Sequence, residues 1–398
     1  MNILNIEDAK KVIGNRAVVI VTGVTGQDGS LMVDYLLRNP DYVIFGGVRH
    51  SSGLNCENII HLSNVDRFFL VNFDLTDEHS IETIVRQLNP SYFINFAAQS
   101  SVKSSWDFPT QTWDVNTKGI IHILEAIRRY APVCRFFNAG SSDEFGNVTY
   151  SPQDEQHPLR PRSPYGASKA SARQLVKVYR ESYNIYAVQG WMFNHESVRR
   201  GEEFVTRKIT KGLGVLCGKL KTQTSNIIPL ELGNINVKRD WSAAEDCIDA
   251  IWRMLNQDEY NYTIKNKLHT ARQLGECSSI AEYHGILMNH LLNNPCEYVV
   301  SSGENHTIKT FIKLAMESIG IVGEWIGSGI DEVCIYKEGY YTVPEGTVII
   351  KINPSYYRPA EIETICGNSF KIKSELGWQP KIDFKRIVRD MILHDVIV

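Results

Sequence analysis

The chain has 398 residues, of which 43% are hydrophobic and 22% are charged; these proportions exclude a disordered chain and favour a two-lobed globular protein. Its net charge of −3 provides no basic surface for nucleic acid or an anionic membrane, and we find neither an apolar run that could span a bilayer nor a signal-peptide stretch. The eight cysteines form no CxxC pair and no Cys/His cluster, so we expect free thiols, a reducing cytoplasm and no metal site.

Strands and helices alternate through the first half of the sequence. Apolar runs such as AVVIVTG (17–23) predict buried parallel strands, and segments such as SLMVDYLLRN (30–39) have helical spacing. The predicted strands are 17–23, 42–48, 68–75, 92–99, 134–140 and 185–191, and the predicted helices are 30–39, 80–89, 110–131 and 165–184. This alternation predicts an α/β fold built on a doubly wound parallel sheet of the Rossmann type.

The alternation fades after the sixth strand, which indicates a second lobe. We expect residues 17–197 to form the parallel-sheet domain, preceded by an N-terminal extension at 1–16. Residues 198–398 are predicted to form mainly a smaller mixed α/β lobe, with a segment near 235–258 returning to the first domain. The polar, asparagine-rich segment 256–298 is predicted to be an insertion.

Three glycines follow the first strand in TGVTGQDG (22–29) and open the next helix. Glycines at this spacing allow a tight turn and a close approach to a pyrophosphate, which the N–H groups and dipole of the helix N-terminus bind. Because the strand–turn–helix context is correct, we interpret the loop as a dinucleotide site rather than a simple turn. The loop residues predicted to contact the cofactor are Gly23, Thr25, Gly26, Gln27, Asp28 and Gly29.

The ends of the second and third strands indicate which dinucleotide binds. Arg49, His50 and Ser51 stand where an acidic residue would hold the ribose of NAD, so they favour the 2′-phosphate of NADP. The alternative is a solvent-exposed arginine. Asp74 can accept from the adenine amino group while Leu75 packs on the ring; equally, Asp74 can cap the following helix.

A tyrosine and a lysine lie four residues apart in SPYGASKA (163–170), which places Tyr165 and Lys169 on one face of a helix. A lysine ammonium and a cationic nicotinamide favour the phenolate and lower the pKa of a tyrosine from its usual value near ~10. Alone, the pair would be an ordinary feature of an amphipathic helix. Together with the glycine loop, it predicts a catalytic base.

A polar cluster follows the fifth strand in NAGSSDEFG (138–146). Chemistry in a doubly wound sheet gathers at the carboxyl ends of the strands. There the Ser141 hydroxyl can bind a substrate oxygen, and the carboxylates of Asp143 and Glu144 can remove a proton α to a carbonyl. The alternative is a polar turn whose side chains cap a helix.

The sequence resembles the extended short-chain dehydrogenases/reductases, and within them it is most similar to the GDP-mannose 4,6-dehydratase family. The similar segments, in order from about residue 17 to about 390, are TGVTGQDGS (22–30), FAAQSSV (96–102), SPYGASK (163–169), FNHESVRRGEEFVTRKI (193–209), LGNINVKRDW (232–241) and YYRPAEIETICGN (356–368). The fourth and sixth segments are far more specific than the glycine loop.

The resemblance implies a mechanism that uses NADP without net consumption. Tyr165, supported by Lys169, takes the C4 hydroxyl proton while C4 gives hydride to NADP⁺. A carboxylate then removes the acidified C5 proton, the C6 hydroxyl leaves as water, and the hydride returns to C6. The expected product is a 4-keto-6-deoxy nucleotide sugar, GDP-4-keto-6-deoxymannose from GDP-mannose.

Two positions depart from the family pattern. An ungapped alignment gives Ser141 the hydroxyl role and puts Asp143 in the place of a glutamate, one methylene shorter, a misplacement that can lower the rate about 10²-fold. A slip of one residue instead makes Asp143 the acid and Glu144 the base. Ser101 stands where the family commonly has histidine, which changes the sugar pocket.

The resemblance also implies further ligands and an oligomer. Cofactor contacts are expected from Ala97, Ala98, Gln99, Tyr165, Lys169, Asn194 and Arg200, and nucleotide-sugar contacts from Ser100, Ser141, Asn194, Glu196, Arg207, Lys208, Arg239, Arg358 and Glu361. A diphosphate favours guanidinium forks, although surface salt bridges are the alternative. The loop that holds Arg200 lies near a neighbouring subunit's cofactor in the family, so we expect a homo-oligomer, a dimer or tetramer.

Three other functions stay open at this point. A GDP-heptose dehydratase would need a roomier pocket, which Ser101 could provide. An oxidase or epimerase acting at C4 would result if the short carboxylate prevented elimination. A non-catalytic nucleotide-sugar binding protein would have no need of a phenolate, so the Tyr165–Lys169 pair argues against it.

Overall fold

The computed structural model describes residues 6–49, 55–221, 227–260, 297–339, 343–357 and 360–397, with positions 266 and 282. The chain forms two units. Unit 1 comprises Met1–Phe193, Ala244–Val300 and Asn368–Gln379, and unit 2 comprises Asn194–Ala243, Ser301–Gly367 and Pro380–Val398. Most of the segment expected to be an insertion, 256–298, lies outside the described residues.

The boundaries of the units differ from the expected ones in three places. Unit 1 ends at Phe193, before the expected boundary at 197. The first return begins at Ala244 rather than near 235, because the strand Lys238–Ala243 pairs within unit 2. A second return, Asn368–Gln379, was not expected; its Trp378 donates to the Asp246 carbonyl (2.8 Å) within unit 1.

Seven described strands form the sheet of unit 1, in the order β10-β6-β5-β4-β1-β2-β3. They are β1 (Ala17–Thr22), β2 (Tyr42–Val48), β3 (Phe68–Asn72), β4 (Tyr92–Asn95), β5 (Arg135–Ala139), β6 (Ala187–Met192) and β10 (Val299–Val300). Every neighbouring pair is parallel. The predicted doubly wound sheet is therefore confirmed.

Helices cover both faces of this sheet, because alternate side chains of its apolar strands point to opposite sides. The α-helices among the described residues of unit 1 are α1 (Ile6–Ile13), α2 (Gln27–Leu36), α3 (Glu78–Leu88), α4 (Val102–Asp107), α5 (Pro109–Trp113), α6 (Gly119–Tyr130), α7 (Pro164–Tyr183), α9 (Ala244–Leu255), α10 (Gln257–Tyr260) and α12 (Phe370–Leu376). Val19 and Val21 of β1 pack with α2 and α9, whereas Val18 and Ile20 pack with α3 and α6.

Three predicted elements are shorter or less regular than expected. The strand predicted at 92–99 stops at Asn95, since the Ala97 amide donates to the Thr22 hydroxyl (3.2 Å) instead of to a neighbouring strand. The strand predicted at 68–75 stops at Asn72. The helix predicted at 110–131 is divided by a π-helical turn, Asp114–Lys118, a feature frequent at functional sites.

Unit 2 contains two small sheets, of orders β11-β9-β7 and β12-β13-β14-β8. Its strands are β7 (Asn194–Glu196), β8 (Leu230–Leu232), β9 (Lys238–Ala243), β11 (Asn305–Thr307), β12 (Ile321–Ile326), β13 (Val333–Gly339) and β14 (Val348–Ile352), and its helices are α8 (Val205–Lys221), α11 (Ile308–Ser318) and α13 (Phe384–Ile397). These elements enclose their own apolar core around Trp241 and Phe311. Among the described residues of both units, no helix combines the length and apolarity needed to cross a membrane.

Candidate active site

The glycine turn after β1 is shaped by two close backbone approaches. Gly23 has a φ of +64°, and a Cβ there would lie 2.8 Å from the Ala97 amide nitrogen. A Cβ on Gly29 would lie 2.4 Å from the Gly23 carbonyl oxygen. Both positions therefore require glycine, as the sequence predicted for a turn of this kind.

The same turn leaves the start of α2 suited to an anion. Gly26 is the N-cap of this ten-residue helix and supplies no side-chain hydrogen bond, and the N-terminus of a helix carries the positive end of its dipole, which favours an anion. The neighbouring predicted contacts have partners within the protein: the Thr25 carbonyl accepts from Asn58 (3.0 Å), and the Asp28 carboxylate accepts from Gln27 (3.0 Å).

The candidate adenosine contacts lie after β2 and β3. Arg49 directly follows β2 and is exposed, whereas His50 and Ser51 lie outside the described residues. The Asp74 carboxylate accepts from the Thr76 amide (2.9 Å) and hydroxyl (2.8 Å) in a local turn. The alternative role of Asp74 as a helix cap is wrong, because α3 starts later and Asp77 caps it by accepting from the Ser80 amide (3.2 Å).

Leu75 packs inside the protein. Its side chain is buried, and a Cβ on Gly119 would lie 2.8 Å from the Leu75 Cβ. The Leu75 carbonyl oxygen lies 3.0 Å from the His122 ring nitrogen. This leucine therefore joins β3 to α6.

The loop after β4 carries the predicted contacts Ala97, Ala98, Gln99 and Ser100. Its backbone is fixed by Asn116, a residue of the π-helical turn that the sequence analysis missed. The Asn116 amide oxygen accepts from the Gln99 N–H (2.8 Å), and its NH₂ donates to the Gln99 carbonyl (3.0 Å) and the Ser168 hydroxyl (3.0 Å). Ser100 is exposed, and Ser101 caps α4 by accepting from the Ser104 amide (3.1 Å).

Tyr165 and Lys169 both lie in the first half of α7 and are buried. The helix begins there because Ser163 accepts from the Gly166 amide (3.0 Å) and Pro164 occupies the first turn. The Lys169 Nζ lies 5.9 Å from the centre of the Tyr165 ring and donates to the Ala139 carbonyl (2.9 Å). Helix α7 thus connects the pair to the end of β5.

Burial lowers the pKa of the Lys169 ammonium to about 8, while the nearby carboxylate of Glu144 opposes this shift. An ammonium in this position stabilises an adjacent phenolate electrostatically. The arrangement can therefore support proton transfer at the Tyr165 hydroxyl.

A short 3₁₀ turn, Ser142–Glu144, follows the carboxyl end of β5 and is capped by Ser141; we call the part that holds the two candidate groups the Ser141–Asp143 turn. The Ser141 hydroxyl donates to the Asp143 carboxylate (3.4 Å) and accepts from the Asp143 amide (3.2 Å). A Cβ on Gly166, the residue after Tyr165, would lie 2.6 Å from the Asp143 carbonyl oxygen. The turn and the start of α7 are therefore in direct contact, and Asp143 is half-buried there.

Glu144 is adjacent in sequence but differs in environment. It is completely buried (0% exposed) and accepts from the Ser141 amide (2.8 Å) and the Gln189 side chain (3.1 Å). Arg173, also buried, forms an ion pair with it at 2.5 Å. Both carboxylate oxygens thus have donors inside the protein, so the alternative that Glu144 is the reacting base receives no support from this geometry.

The structure adds Arg173 and Gln189 to the residues around the site. Neither was identified from the sequence, because an arginine in a helix usually lies at the surface and a glutamine interrupts an apolar strand without apparent purpose. The signal was available in the strands: Asn95, Asn138 and Gln189 each place an amide within an otherwise apolar run.

The predicted nucleotide-sugar ligands of unit 2 occur partly in pairs. The Arg239 guanidinium donates to the Glu361 carboxylate (2.8 Å) and the Ile362 carbonyl (2.7 Å). The Lys208 ammonium lies 3.9 Å from the centre of the Tyr356 ring. Arg358 lies outside the described residues.

The remaining candidates of unit 2 lie close to the strand β7. Asn194 pairs in register with Trp241 of β9. Glu196 is buried, accepts from the Thr206 hydroxyl (2.6 Å) and pairs with Arg200 (3.3 Å). Glu196 and Arg200, predicted to contact the nucleotide sugar and the cofactor, thus form an ion pair with each other.

Arg207 has a structural environment, contrary to the expected contact with the nucleotide. Its side chain is 7% exposed and pairs at 2.9 Å with Asp395, which is itself buried. Asp395 also accepts from the Thr210 hydroxyl (2.6 Å). The ion pair joins α8 to α13 within unit 2.

The chain is similar over its whole length to proteins of one family. The family profile described as GDP-mannose 4,6 dehydratase matches residues 20–291 and 280–391. The GDP-mannose 4,6 dehydratase of Drosophila melanogaster is 36% identical over 387 residues, covering 95% of this chain and 86% of that protein. The GDP-mannose 4,6-dehydratase of Vibrio cholerae serotype O1 is 35% identical over 393 residues, covering 96% and 94%.

Solved structures share the fold at lower identity. UDP-glucose 4-epimerase of Thermotoga maritima, solved with UDP-glucose, gives a TM-score of 0.69 at 20% identity, covering 95% of this chain and 98% of that one. dTDP-glucose 4,6-dehydratase of Bacillus anthracis, solved with NAD, gives 0.67 at 18%, covering 95% and 96%. RMD from Pseudomonas aeruginosa, solved with NADPH, gives 0.63 at 20%, covering 96% and 99%. On the strength of the profile and the full-length relatives, the chain belongs to the GDP-mannose 4,6-dehydratase family.

Proposed function

We propose that this chain is an NADP-dependent hydro-lyase that converts GDP-mannose to GDP-4-keto-6-deoxymannose. Membership of the family supports the reaction class. The observation that carries the proposal is the packing of the Tyr165–Lys169 helix on the Ser141–Asp143 turn, where Gly166 leaves no room for a Cβ. A proton acceptor for a hydroxyl and a carboxylate for a carbon acid thereby lie in one corner of unit 1.

The glycine turn fits the pyrophosphate of a nicotinamide dinucleotide. Gly23 and Gly29 keep the backbone open where any side chain would collide, and the N-terminus of α2 beside them carries the positive end of the helix dipole, which favours an anion. We assign the preference for NADP to Arg49, whose exposed guanidinium can pair with a 2′-phosphate. Relatives in fold are solved with NAD and with NADPH, so the residue after β2 decides rather than the fold.

When bound, the nicotinamide supplies a hydride acceptor for C4 and later a hydride donor for C6. The chain's own residues handle the protons. The Tyr165 phenolate, stabilised by the Lys169 ammonium, accepts the C4 hydroxyl proton at Oη and becomes a neutral phenol. The Ser141 hydroxyl holds the C4 oxygen in place.

Asp143 is the proposed base for the C5 proton, and Glu144 is assigned a structural role. The Asp143 carboxylate is half-buried and contacts only a hydroxyl among the bonds described for it, so it is available to a substrate. The Glu144 carboxylate is fully buried and bonded to Arg173, Gln189 and the Ser141 amide. A carbon acid could not reach it without breaking that arrangement.

In unit 2, we assign Arg239, Lys208 and Arg358 to the diphosphate and Glu361 to a donor group of the nucleoside. Arg239 and Glu361 are held together at 2.8 Å, so each orients the other. We also propose a homo-oligomer and a cytoplasmic location. The six described cysteines are free thiols, which suits a reducing compartment.

The direct test is to incubate the purified protein with GDP-mannose and either NADP⁺ or NAD⁺ and to follow the sugar nucleotide by mass spectrometry. We expect a product lighter by one water, formed faster with NADP⁺, and a reduced preference for NADP⁺ in Arg49→Glu. An unchanged mass with altered stereochemistry would establish an epimerase. Turnover of a GDP-heptose alone would change the substrate, and binding without turnover would establish a binding protein.

A further inference from the structure

A chain of buried polar side chains crosses four neighbouring strands of unit 1. Thr22 of β1 is paired in register with Asn95 of β4, Asn95 with Asn138 of β5, and Asn138 with Gln189 of β6. All four side chains are at most 1% exposed. They form one level of the sheet near the carboxyl ends of the strands, surrounded by apolar residues.

The hydrogen bonds of this chain all run in one direction. The Thr22 hydroxyl donates to Asn95 (2.6 Å), Asn95 donates to Asn138 (2.9 Å), and Asn138 donates to Gln189 (2.6 Å). Asn95 and Asn138 each direct the amide oxygen toward β1 and the NH₂ toward β6, where the Gln189 oxygen accepts the last of these bonds. No member can turn over alone, because a flip would place two donors or two acceptors together.

Both ends of this hydrogen-bonded chain of side chains lie in the candidate active site. At one end, the Ala97 amide in the loop after β4 donates to the Thr22 hydroxyl (3.2 Å). At the other, the Gln189 NH₂ donates to the Glu144 carboxylate (3.1 Å) and the Lys169 carbonyl (3.3 Å).

Glu144 links this chain of side chains to the Ser141–Asp143 turn. Its Oε1, which accepts from Gln189, also accepts from the Ser141 amide (2.8 Å). Arg173 holds the same carboxylate from the opposite side and donates to the Gln189 carbonyl (3.0 Å). A Cβ on Gly140 would lie 2.3 Å from the Gly190 carbonyl oxygen and 2.7 Å from Glu144 Oε1, so the turn fits closely around the carboxylate.

Such a chain is a poor means of stabilising a fold. Buried hydrogen bonds contribute little net stability, and apolar residues of similar shape could fill this level of the sheet. What it does provide is a fixed geometry, because directional bonds connect the loop after β4, the backbone of Lys169 and the Ser141–Asp143 turn.

We infer that Thr22, Asn95, Asn138 and Gln189 form a positioning ladder that, through Glu144, sets the Ser141–Asp143 turn and the Lys169 backbone relative to the loop after β4. This inference rests on the proposed roles of Ser141, Asp143 and Lys169. The ladder residues touch no substrate; they act by holding the groups that do.

The test uses the far end of the ladder, where a merely local effect on the turn is excluded. Thr22→Val keeps the shape of the side chain and removes the hydroxyl, whereas Thr22→Ser keeps the hydroxyl and removes a methyl group. We expect Thr22→Val to lower kcat for GDP-mannose about fivefold with KM and the NADP⁺ Kd within about twofold. Thr22→Ser should restore kcat. If Thr22→Ser is the worse variant, or if the loss lies in KM or Kd, the ladder has no positioning role.

A second variant breaks the ladder at its centre. Asn138→Leu should lower kcat about 100-fold, as expected for a displaced catalytic group, and in this background Thr22→Val should have no further effect on kcat. Independent, multiplicative losses would overturn the inference. If Asn138→Leu fails to fold, the comparison of the two Thr22 variants still decides.

Hydrogen exchange separates this inference from the proposed function. The Ser141 amide, which donates to Glu144, should exchange faster in Thr22→Val than in Thr22→Ser holoenzyme. If the wild type does not dehydrate GDP-mannose, the proposed function fails while this measurement still tests the ladder. If the wild type is active and exchange at Ser141 is the same in both variants, the ladder fails and the proposed function stands.

Discussion

The two units build their charged clusters from different distances along the chain. In unit 1, Asp143 and Glu144 are adjacent in sequence, but the Asp143 carboxylate is half-buried and the Glu144 carboxylate is fully buried. In unit 2, Arg207 pairs with Asp395 and Arg239 with Glu361, partners far apart in sequence. A sequence motif therefore identifies candidate residues, whereas their burial and their ion-pair partners determine which of them can contact a ligand.

The largest effect is expected at the hydroxyl of Tyr165. Tyr165→Phe removes the proton acceptor while keeping the ring that packs in α7, so turnover of GDP-mannose should fall by about 10³-fold or more. The NADP⁺ Kd, measured by titration, should stay within about threefold because the glycine turn is unchanged. Near-normal turnover would show that Tyr165 is not the proton acceptor.

The adjacent carboxylates give the sharpest contrast within unit 1. Asp143→Asn should lower dehydration by about 10²-fold or more and leave the free energy of unfolding nearly unchanged. Glu144→Gln leaves the buried Arg173 without its anion, so it should lower the free energy of unfolding by about 3 kcal/mol, with a loss in kcat of about tenfold or less.

Chemical denaturation and steady-state turnover of the two variants separate these outcomes. The reverse pattern, in which Glu144→Gln is stable and inactive, would make Glu144 the base. Equal mild effects would contradict both assignments.

The pH dependence of kcat tests whether the Lys169 ammonium supports the Tyr165 phenolate. Burial places the pKa of the Lys169 ammonium near 8. Below that pH the ammonium is present and supports the Tyr165 phenolate; as the pH rises through about 8 the lysine loses its proton and the support disappears. We expect kcat to fall above pH 8, by up to about tenfold per pH unit.

Glu144→Gln moves this falling limb in a direction that can be stated. The Glu144 carboxylate raises the pKa of Lys169, so its removal should shift the limb to lower pH. Circular dichroism over the same range serves as the control for unfolding. A limb that stays in place, or moves to higher pH, would show that another group controls the rate.

The sequence predicted those features that depend on residues close together along the chain. The glycine turn and the Tyr165–Lys169 pair depend on spacing within one element, so their positions were predicted correctly. From the sequence, Asp74 could equally cap α3 or contact the adenine, and only the observed start of the helix shows that Asp77 is the cap.

The ladder and the Glu144–Arg173 pair could not be predicted in the same way. Asn95, Asn138 and Gln189 come from separate strands, and only the register of the sheet aligns them. Arg173 is buried because α7 turns that face toward Glu144 and Trp191. The same reasoning explains Arg207, whose partner Asp395 lies near the other end of unit 2's sequence.

The smallest expected effect compares two arginines of unit 2. Arg239→Met should raise the KM for GDP-mannose about tenfold with kcat within about threefold, because it weakens ground-state binding. Arg207→Met keeps the apolar stem but leaves the buried Asp395 without its partner, so it should lower the free energy of unfolding by about 3 kcal/mol and leave KM within about twofold. Substrate titration and denaturation measured on both variants test this pair. If Arg207→Met raises KM and Arg239→Met only destabilises, then burial does not separate structural from ligand-binding arginines in unit 2, and the rule that distinguishes Asp143 from Glu144 would hold only in unit 1.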